Sequence, residues 1–144
     1  MEIGMHIIIR KARDEDVQVL EDLFSEFSSW NLSRRESLLK AISDPNGELL
    51  VAEYDDQVVG FLHQIFFVDP LHAGVNSDIT SLFVKEEYRG KGIASSLVNK
   101  AVENAKRRKV LEIHVTTREK NHKAIRFYQK HGFTREGVLF EKNP

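Results

Sequence analysis

Apolar positions along the chain follow two periods in alternation. Residues 6–10 are rich in β-branched side chains and predict a first strand. Val17, Leu20, Phe24 and Phe27 then recur at helical spacing. Asp14 is expected to cap this helix, with Glu15 and Asp16 in the first turn, where the helix dipole favours negative charge. Ser33-Arg34-Arg35-Glu36 has the form of a capping box and predicts a second helix to about Ile42, closed by the turn Asp44-Pro45-Asn46-Gly47. Residues 49–54 and 57–68 read as a β-hairpin folded at Asp55-Asp56, and Asp69-Pro70 stops its second strand.

A loop through Gly74 leads to a strand over 78–84, and residues 92–108 have the pattern of a long helix. Ile93, Leu97, Ala101 and Ala105 form its apolar stripe. Residues 110–116 predict another strand, and 121–131 another helix, stopped at Gly132. The tail over 133–140, with Gly137 inside it, reads as two short strands or one bulged strand. The order is β-α-α-β-β-β-α-β-α-β-β, an α/β layered fold.

Composition narrows the class. A chain of 144 residues fits a single domain, residues 1–144, and 41% hydrophobic with 30% charged residues is the balance of a globular protein. There is no cysteine, which excludes a disulfide framework, a thiolate nucleophile and Cys-ligated zinc, and suits a reducing compartment. A net charge of −1 supplies no global field for nucleic acid. No apolar run approaches the roughly 20 residues that span a bilayer. The first five residues lack the basic start and apolar core of a signal peptide, so the cytoplasm is the simplest location; Met5 is an alternative start.

The candidate chemistry lies in Tyr88-Arg89-Gly90-Lys91-Gly92-Ile93-Ala94, which follows a strand and opens a helix. Glycines 90 and 92 allow positive φ and close approach of a ligand to the backbone. The first amides of a helix have no intrahelical acceptor and can donate to anionic oxygens. Arg89 and Lys91 add positive charge, and Ser95 adds a hydroxyl. A P-loop fits badly, because Lys91 is followed by glycine rather than Ser or Thr. A dinucleotide fingerprint also fits badly, because the unit comes late in the chain and strand 110–116 does not end in an acid.

Arg89-Gly90-Lys91-Gly92-Ile93-Ala94 resembles the (Arg/Gln)-x-x-Gly-x-(Gly/Ala) signature of the GCN5-related N-acetyltransferases (GNAT). Leu82-Phe83-Val84 resembles the family's strand end, and residues 121–133 resemble its second motif. Glu86 stands where many members have proline. The resemblance implies a single mixed, mostly antiparallel sheet with helices on both faces. It implies acetyl-CoA as co-substrate and direct transfer of the acetyl group to an amine of a small molecule or peptide in a ternary complex. No metal is expected, because His122 and His131, nine apart, fall on opposite faces of a helix and no other close histidine pair exists.

On that resemblance the pyrophosphate is gripped by Arg89, Gly90, Lys91, Gly92, Ile93, Ala94 and Ser95, and the pantetheine arm by the backbone of Leu82, Phe83 and Val84 together with Asn121. Tyr128 stands beside the sulfur as general acid to the leaving thiolate. Asn121 and Tyr128 share a helix face, about 10 Å apart along the axis at 1.5 Å per residue.

Deprotonating a lysine-like amine at pH 7 costs roughly 4–5 kcal/mol and an α-amine about 1 kcal/mol. A base therefore matters most for alkyl amines. Asp78 is the first candidate: it precedes Leu82 by four strand residues and is expected to share its face. A plain polar strand residue explains it equally well. His114 is the second candidate. The acceptor pocket is expected among the first two helices, the 69–77 loop and the C-terminal strands, with Phe27 and Trp30 as lining.

The basic run Lys106-Arg107-Arg108-Lys109 reads as a solvated helix end, with a contact to the cofactor's 3′-phosphate as the functional alternative. An exposed C-terminal strand edge would offer a surface for pairing two chains. The competing functional class is a non-catalytic acyl-CoA-binding or regulatory domain on the same fold.

Overall fold

The computed structural model describes residues 6–144; the alternative start at Met5 lies outside them. The chain packs as two compact units, one ending at His114 and one from Val115 to Pro144.

The first unit is built on a sheet. Strands β1 (Ile7–Lys11), β2 (Gly47–Tyr54), β3 (Gln57–Asp69), β4 (Gly74–Val84) and β5 (Ile113–Val115) lie in that order across it. Neighbours from β1 to β4 are antiparallel. The β2–β3 hairpin turns at Asp55 and Asp56, with φ of 48° and 68°, the mirror-image turn that matches strand twist. At β5 the pattern changes. Leu111 donates to the Val75 carbonyl and Ser77 to the Glu112 carbonyl, so the pairing advances in the same direction on both chains. That is the parallel pairing expected of strands joined by a helical crossover.

Helices cover both faces. α1 (Val17–Phe27) and α2 (Arg35–Ser43) bury Leu20, Leu23 and Leu38 against Leu49, Val51 and Phe61. On the opposite face α3 (Ile93–Arg107) buries Ile93, Leu97, Ala101 and Ala105, the stripe that its periodicity marks. Gln64 of β3 donates to the Ala101 carbonyl at 3.1 Å and fixes the helix over the sheet. β2 and the middle of β3 are buried on both faces, which is why they read as nearly continuous apolar runs.

Several expectations are corrected. Asp14 does not cap α1; residues 14–16 form a 3₁₀ turn, and Asp16 accepts from the Arg13 amide at 2.7 Å. Asp16 stays at the start of α1 as expected and also takes a two-pronged bond from Arg10, at 2.8 and 2.9 Å. Ser33 forms no cap: α2 starts at Arg35, with Arg34 in the cap position and no side-chain cap bond. The 69–77 loop shrinks to residues 70–73, because β4 begins at Gly74.

The second unit holds α4 (His122–Lys130). Asn121 caps it, accepting from the Ala124 amide at 3.1 Å. Gly132, at φ 88°, closes it: the Gly132 amide donates to Gln129 and the Phe133 amide to Tyr128. This is a Schellman closure, completed by contact of the Phe133 and Tyr128 rings at 5.6 Å. The strands expected over 133–140 are absent; this segment carries no regular structure. Strand propensity needs a partner edge, and Val138, Leu139 and Phe140 stand exposed while Thr134 bonds locally to Glu136. The C-terminal edge proposed for pairing two chains goes with them. Among the described residues, no helix is long and apolar enough to cross a membrane.

Candidate functional site

The turn between β4 and α3 takes the form its glycines suggest. Gly90 has φ 78° and Gly92, the N-cap of α3, has φ 85°. No side chain caps the helix, and a Cβ placed on either glycine would meet nothing within 4 Å. The backbone is therefore bare on the side where α3 presents its first amides, an arrangement that suits an anionic ligand. The basic residues are more committed than their sequence suggests. Arg89 donates from Nε to the Val84 carbonyl at 2.8 Å and lies 5.5 Å from the Phe83 ring centre. Lys91 places its ammonium 5.4 Å from the Tyr54 ring centre.

β4 leads into this turn with one edge open. Glu112 stands opposite Ser77 in the parallel pairing and β5 ends at Val115, so Leu82, Phe83 and Val84 run beyond the end of β5. Backbone amides on an edge without a strand partner can bond an extended, amide-bearing arm.

A β-bulge reorganises the middle of β4. His63 of β3 pairs with Ser81 and Gln64 with Ile79, which leaves Thr80 as an extra residue. Asp78 is paired with Ile65, and Leu82 with Leu62, three residues apart on an unbulged stretch of β3. The two therefore face opposite ways, contrary to the expectation of a shared face. Leu82 lies on the α3 face, and Asp78 lies on the α1–α2 face with Ser81 and Phe83.

The structure brings the two candidate bases together. Asp78 Oδ1 is 3.4 Å from His114 Nδ1, and His114 Nε2 is 3.4 Å from Glu112 Oε1. Both Asp78 and His114 are about half exposed. A third polar group on this face, which the sequence did not single out, is His63. Its Nδ1 meets Thr80 Oγ1 at 2.9 Å, its Nε2 is buried without a partner, and burial pushes it below the usual 6.5. Only the register of two strands reveals this contact. On the same face Phe27 packs on Phe61 and Phe83, with ring centres 5.9 and 5.6 Å apart, and remains half exposed. Trp30 is exposed, and its amide donates to Ser28 Oγ.

In the second unit, Asn121 spends its carbonyl oxygen on the α4 cap and keeps its amide nitrogen for donation. Tyr128 packs on Phe127 and Phe133, and burial raises its phenol above the usual 10, so it stays protonated at neutral pH. Among the described residues, no group of three His, Cys, Asp or Glu side chains is placed to hold a metal ion.

The basic run at the end of α3 is engaged within the protein. Arg107 and Arg108 both reach Glu48 at 3.3 Å. They lie about 22 Å along α3 from the glycine turn at 1.5 Å per residue.

A mixed sheet with an open edge on β4, leading into a bare, doubly glycine-hinged helix start, defines the class of α/β proteins that can hold a long anionic, amide-bearing ligand. Comparison with known proteins makes this specific: the chain matches the Acetyltransferase (GNAT) family over residues 16–133 and belongs to it. It is 28% identical over 132 residues to a putative [ribosomal protein bS18]-alanine N-acetyltransferase of Bacillus subtilis (strain 168), covering 90% of this chain and 82% of that protein. An uncharacterised N-acetyltransferase of Methanocaldococcus jannaschii is 33% identical over 92 residues, 62% of this chain and 40% of the relative's own length. Among solved structures, a protein described as a transcriptional regulator from Bacillus halodurans C-125 superposes with a TM-score of 0.83 and 26% identity, covering 95% of this chain and all of that one.

Proposed function

We propose that this chain is an acetyl-CoA-dependent N-acetyltransferase, one domain over residues 1–144, acting on an amine of a small molecule or peptide. The observation that carries the reading is the continuity of the open edge at Leu82–Val84 with the bare turn at Gly90 and Gly92. In this reading Ile93, Ala94 and Ser95 direct their amides at the pyrophosphate, with Lys91 beside them. Arg89 acts first by fixing the Val84 carbonyl and so the end of the strand. Asn121 donates to the pantetheine arm.

The cofactor supplies an activated acetyl thioester. Tyr128, kept protonated by burial, holds the proton that the departing thiolate needs. Asp78 orients His114 and the pair takes the proton of the attacking amine, on the α1–α2 face that Phe27 and Phe83 line. An α-amine, the acceptor type named for the Bacillus subtilis relative, asks little of this base; an alkyl amine asks some 3 kcal/mol more. The lack of cysteine suits the cytoplasm.

The second reading, a non-catalytic acyl-CoA-binding domain, draws on the similarity to a protein described as a transcriptional regulator. One assay separates the two. The protein is incubated with acetyl-CoA and a panel of polyamines, aminoglycosides, amino acids and peptides, and free thiol is followed. Thiol release that requires one acceptor supports the enzyme. Tight binding without acceptor-dependent release supports the second reading, and no binding overturns both.

A further inference from the structure

We propose that the acceptor is a primary amine, and that Thr80, with its hydroxyl fixed by His63, selects it by accepting the N–H that stays on the nitrogen when the acetyl group arrives. The assignment rests on the acetyltransferase reading above. Thr80 is the extra residue of the β4 bulge: Ile79 pairs with Gln64 and Ser81 with His63, so no position of β3 stands opposite it. Its hydroxyl lies on the α1–α2 face, because Oγ1 is 2.9 Å from His63 Nδ1 and 3.3 Å from the His63 carbonyl oxygen. Asp78 is on that face two residues earlier, a rise of about 6 Å, or two hydrogen-bond lengths. A nitrogen held between them can bond both.

His63 makes Thr80 an acceptor. A hydroxyl has one proton and two lone pairs. His63 Nε2 is buried without a partner, so a charged ring would hold an N–H there with nothing to bond. Burial accordingly keeps the imidazole below its usual 6.5, against the pull of Asp44 at the end of α2. The neutral ring leaves two arrangements. With Nδ1 bare, the Thr80 hydroxyl donates to it. With Nδ1 protonated, the ring donates to Thr80, and the hydroxyl donates to the His63 carbonyl. In both, the Thr80 proton is spent inside the protein and an exposed oxygen keeps a lone pair for a donor. In the transfer a nitrogen–carbon bond forms and the carbon–sulfur bond breaks. One N–H proton passes to the Asp78–His114 pair, and the thiolate takes the proton of Tyr128. A neutral primary amine brings two N–H groups, one for that pair and one that remains on Thr80 in the product amide. A secondary amine brings one, and its amide has none, which leaves the Thr80 oxygen unbonded.

The test runs each polyamine, aminoglycoside, amino acid and peptide of the panel beside the analogue that carries one methyl group on every primary amino nitrogen, and reads kcat/KM by thiol release. The parent should prefer the primary amine. In Thr80→Val, close in shape and without the hydroxyl, that preference should fall at least tenfold, through the primary amine alone, with acetyl-CoA affinity within twofold of the parent. Thr80→Ser, which restores the hydroxyl, should keep the preference within threefold. A second readout needs no turnover. Coenzyme A-loaded protein is titrated calorimetrically with the N-acetyl product and with its N-methyl counterpart, and the first alone should bind more weakly to Thr80→Val than to the parent. The proposal is overturned if the parent acetylates both amines alike, if Thr80→Val keeps the preference or binds the N-acetyl product as the parent does, or if Thr80→Ser loses the preference as fully as Thr80→Val. If no amine of the panel releases thiol, the acetyltransferase reading itself fails and this assignment falls with it; turnover without the preference removes the assignment alone.

Discussion

Gly92→Ala separates the two duties of the glycine turn, backbone conformation and access to the ligand. At φ 85° an alanine sits in the left-handed region, which costs about 1–2 kcal/mol, offset by about 0.4–1 kcal/mol because alanine restricts the unfolded chain. The added Cβ meets nothing within 4 Å, so no steric cost is added in the free protein. The net loss is at most about 1.6 kcal/mol, which for a chain of this size lowers the unfolding temperature by no more than about 6 °C. The new methyl group does stand where the proposed pyrophosphate approaches the first amides of α3. Acetyl-CoA affinity should therefore fall at least tenfold, more than the loss of stability accounts for. Val17→Ala is the matched control: it deletes two buried methyl groups under α1, worth about 1.6 kcal/mol, on the sheet face opposite α3. Scanning fluorimetry gives both stabilities and calorimetric titration gives both affinities. If the two variants lose affinity in parallel, or if Gly92→Ala binds as the parent does, the helix start does not hold the phosphate.

Three further substitutions address other links. Arg10, by its hydrogen bonds, holds the Asp16 carboxyl below its usual 3.8, so this pair adds stability above about pH 4 that is lost as pH falls through the depressed value. Asp16→Asn should cost about 1.5–3 kcal/mol at pH 7 by urea unfolding, and the gap from the parent should narrow as the pH is lowered below 3.8; a gap that does not change with pH refutes the pairing as its cause. Gly60→Ala puts a Cβ 2.8 Å from the Phe83 carbonyl oxygen and 3.4 Å from Val84 Cα, backbone that must shift, so stability should fall by about 1–3 kcal/mol and acetyl-CoA affinity with it. Unchanged affinity in a destabilised Gly60→Ala would detach the end of β4 from the cofactor. Tyr128→Phe keeps the ring contacts with Phe127 and Phe133 and removes the proton, so turnover should fall about 10²-fold or more with acetyl-CoA affinity within twofold of the parent. Full turnover in that variant would exclude the phenol as the acid.

The parts of the fold that were legible in the sequence are those set within one element. The α3 stripe is a local period, and Asp55-Asp56 is a turn whose residues accept positive φ, so both could be read from neighbours alone. Asp16 does stand at the start of α1, as its position in the sequence suggests, but its bond to Arg10, six residues back on β1, is one that no helical period encodes. The tail misled in the opposite way: Val138, Leu139 and Phe140 have strand propensity, but a strand exists only as one side of a pair.

The bulge at Thr80 is the case with most bearing on function. Nothing in Asp78-Ile79-Thr80-Ser81-Leu82 marks an extra residue, because a bulge is a property of the register between two strands. Counting by twos placed Asp78 beside Leu82, but the arm of an extended cofactor would be held by the backbone edge at Leu82–Val84, and the face of the Leu82 side chain is irrelevant to that contact. What matters for an acceptor is the side from which it approaches. By turning the strand over once, the bulge puts Asp78 on the face of Phe83, Phe27 and His63, and there His114 lies within reach of it. The proposed base pair and the apolar lining expected around the acceptor thus lie on one side of the sheet, and α3, whose start is proposed to hold the pyrophosphate, lies on the other.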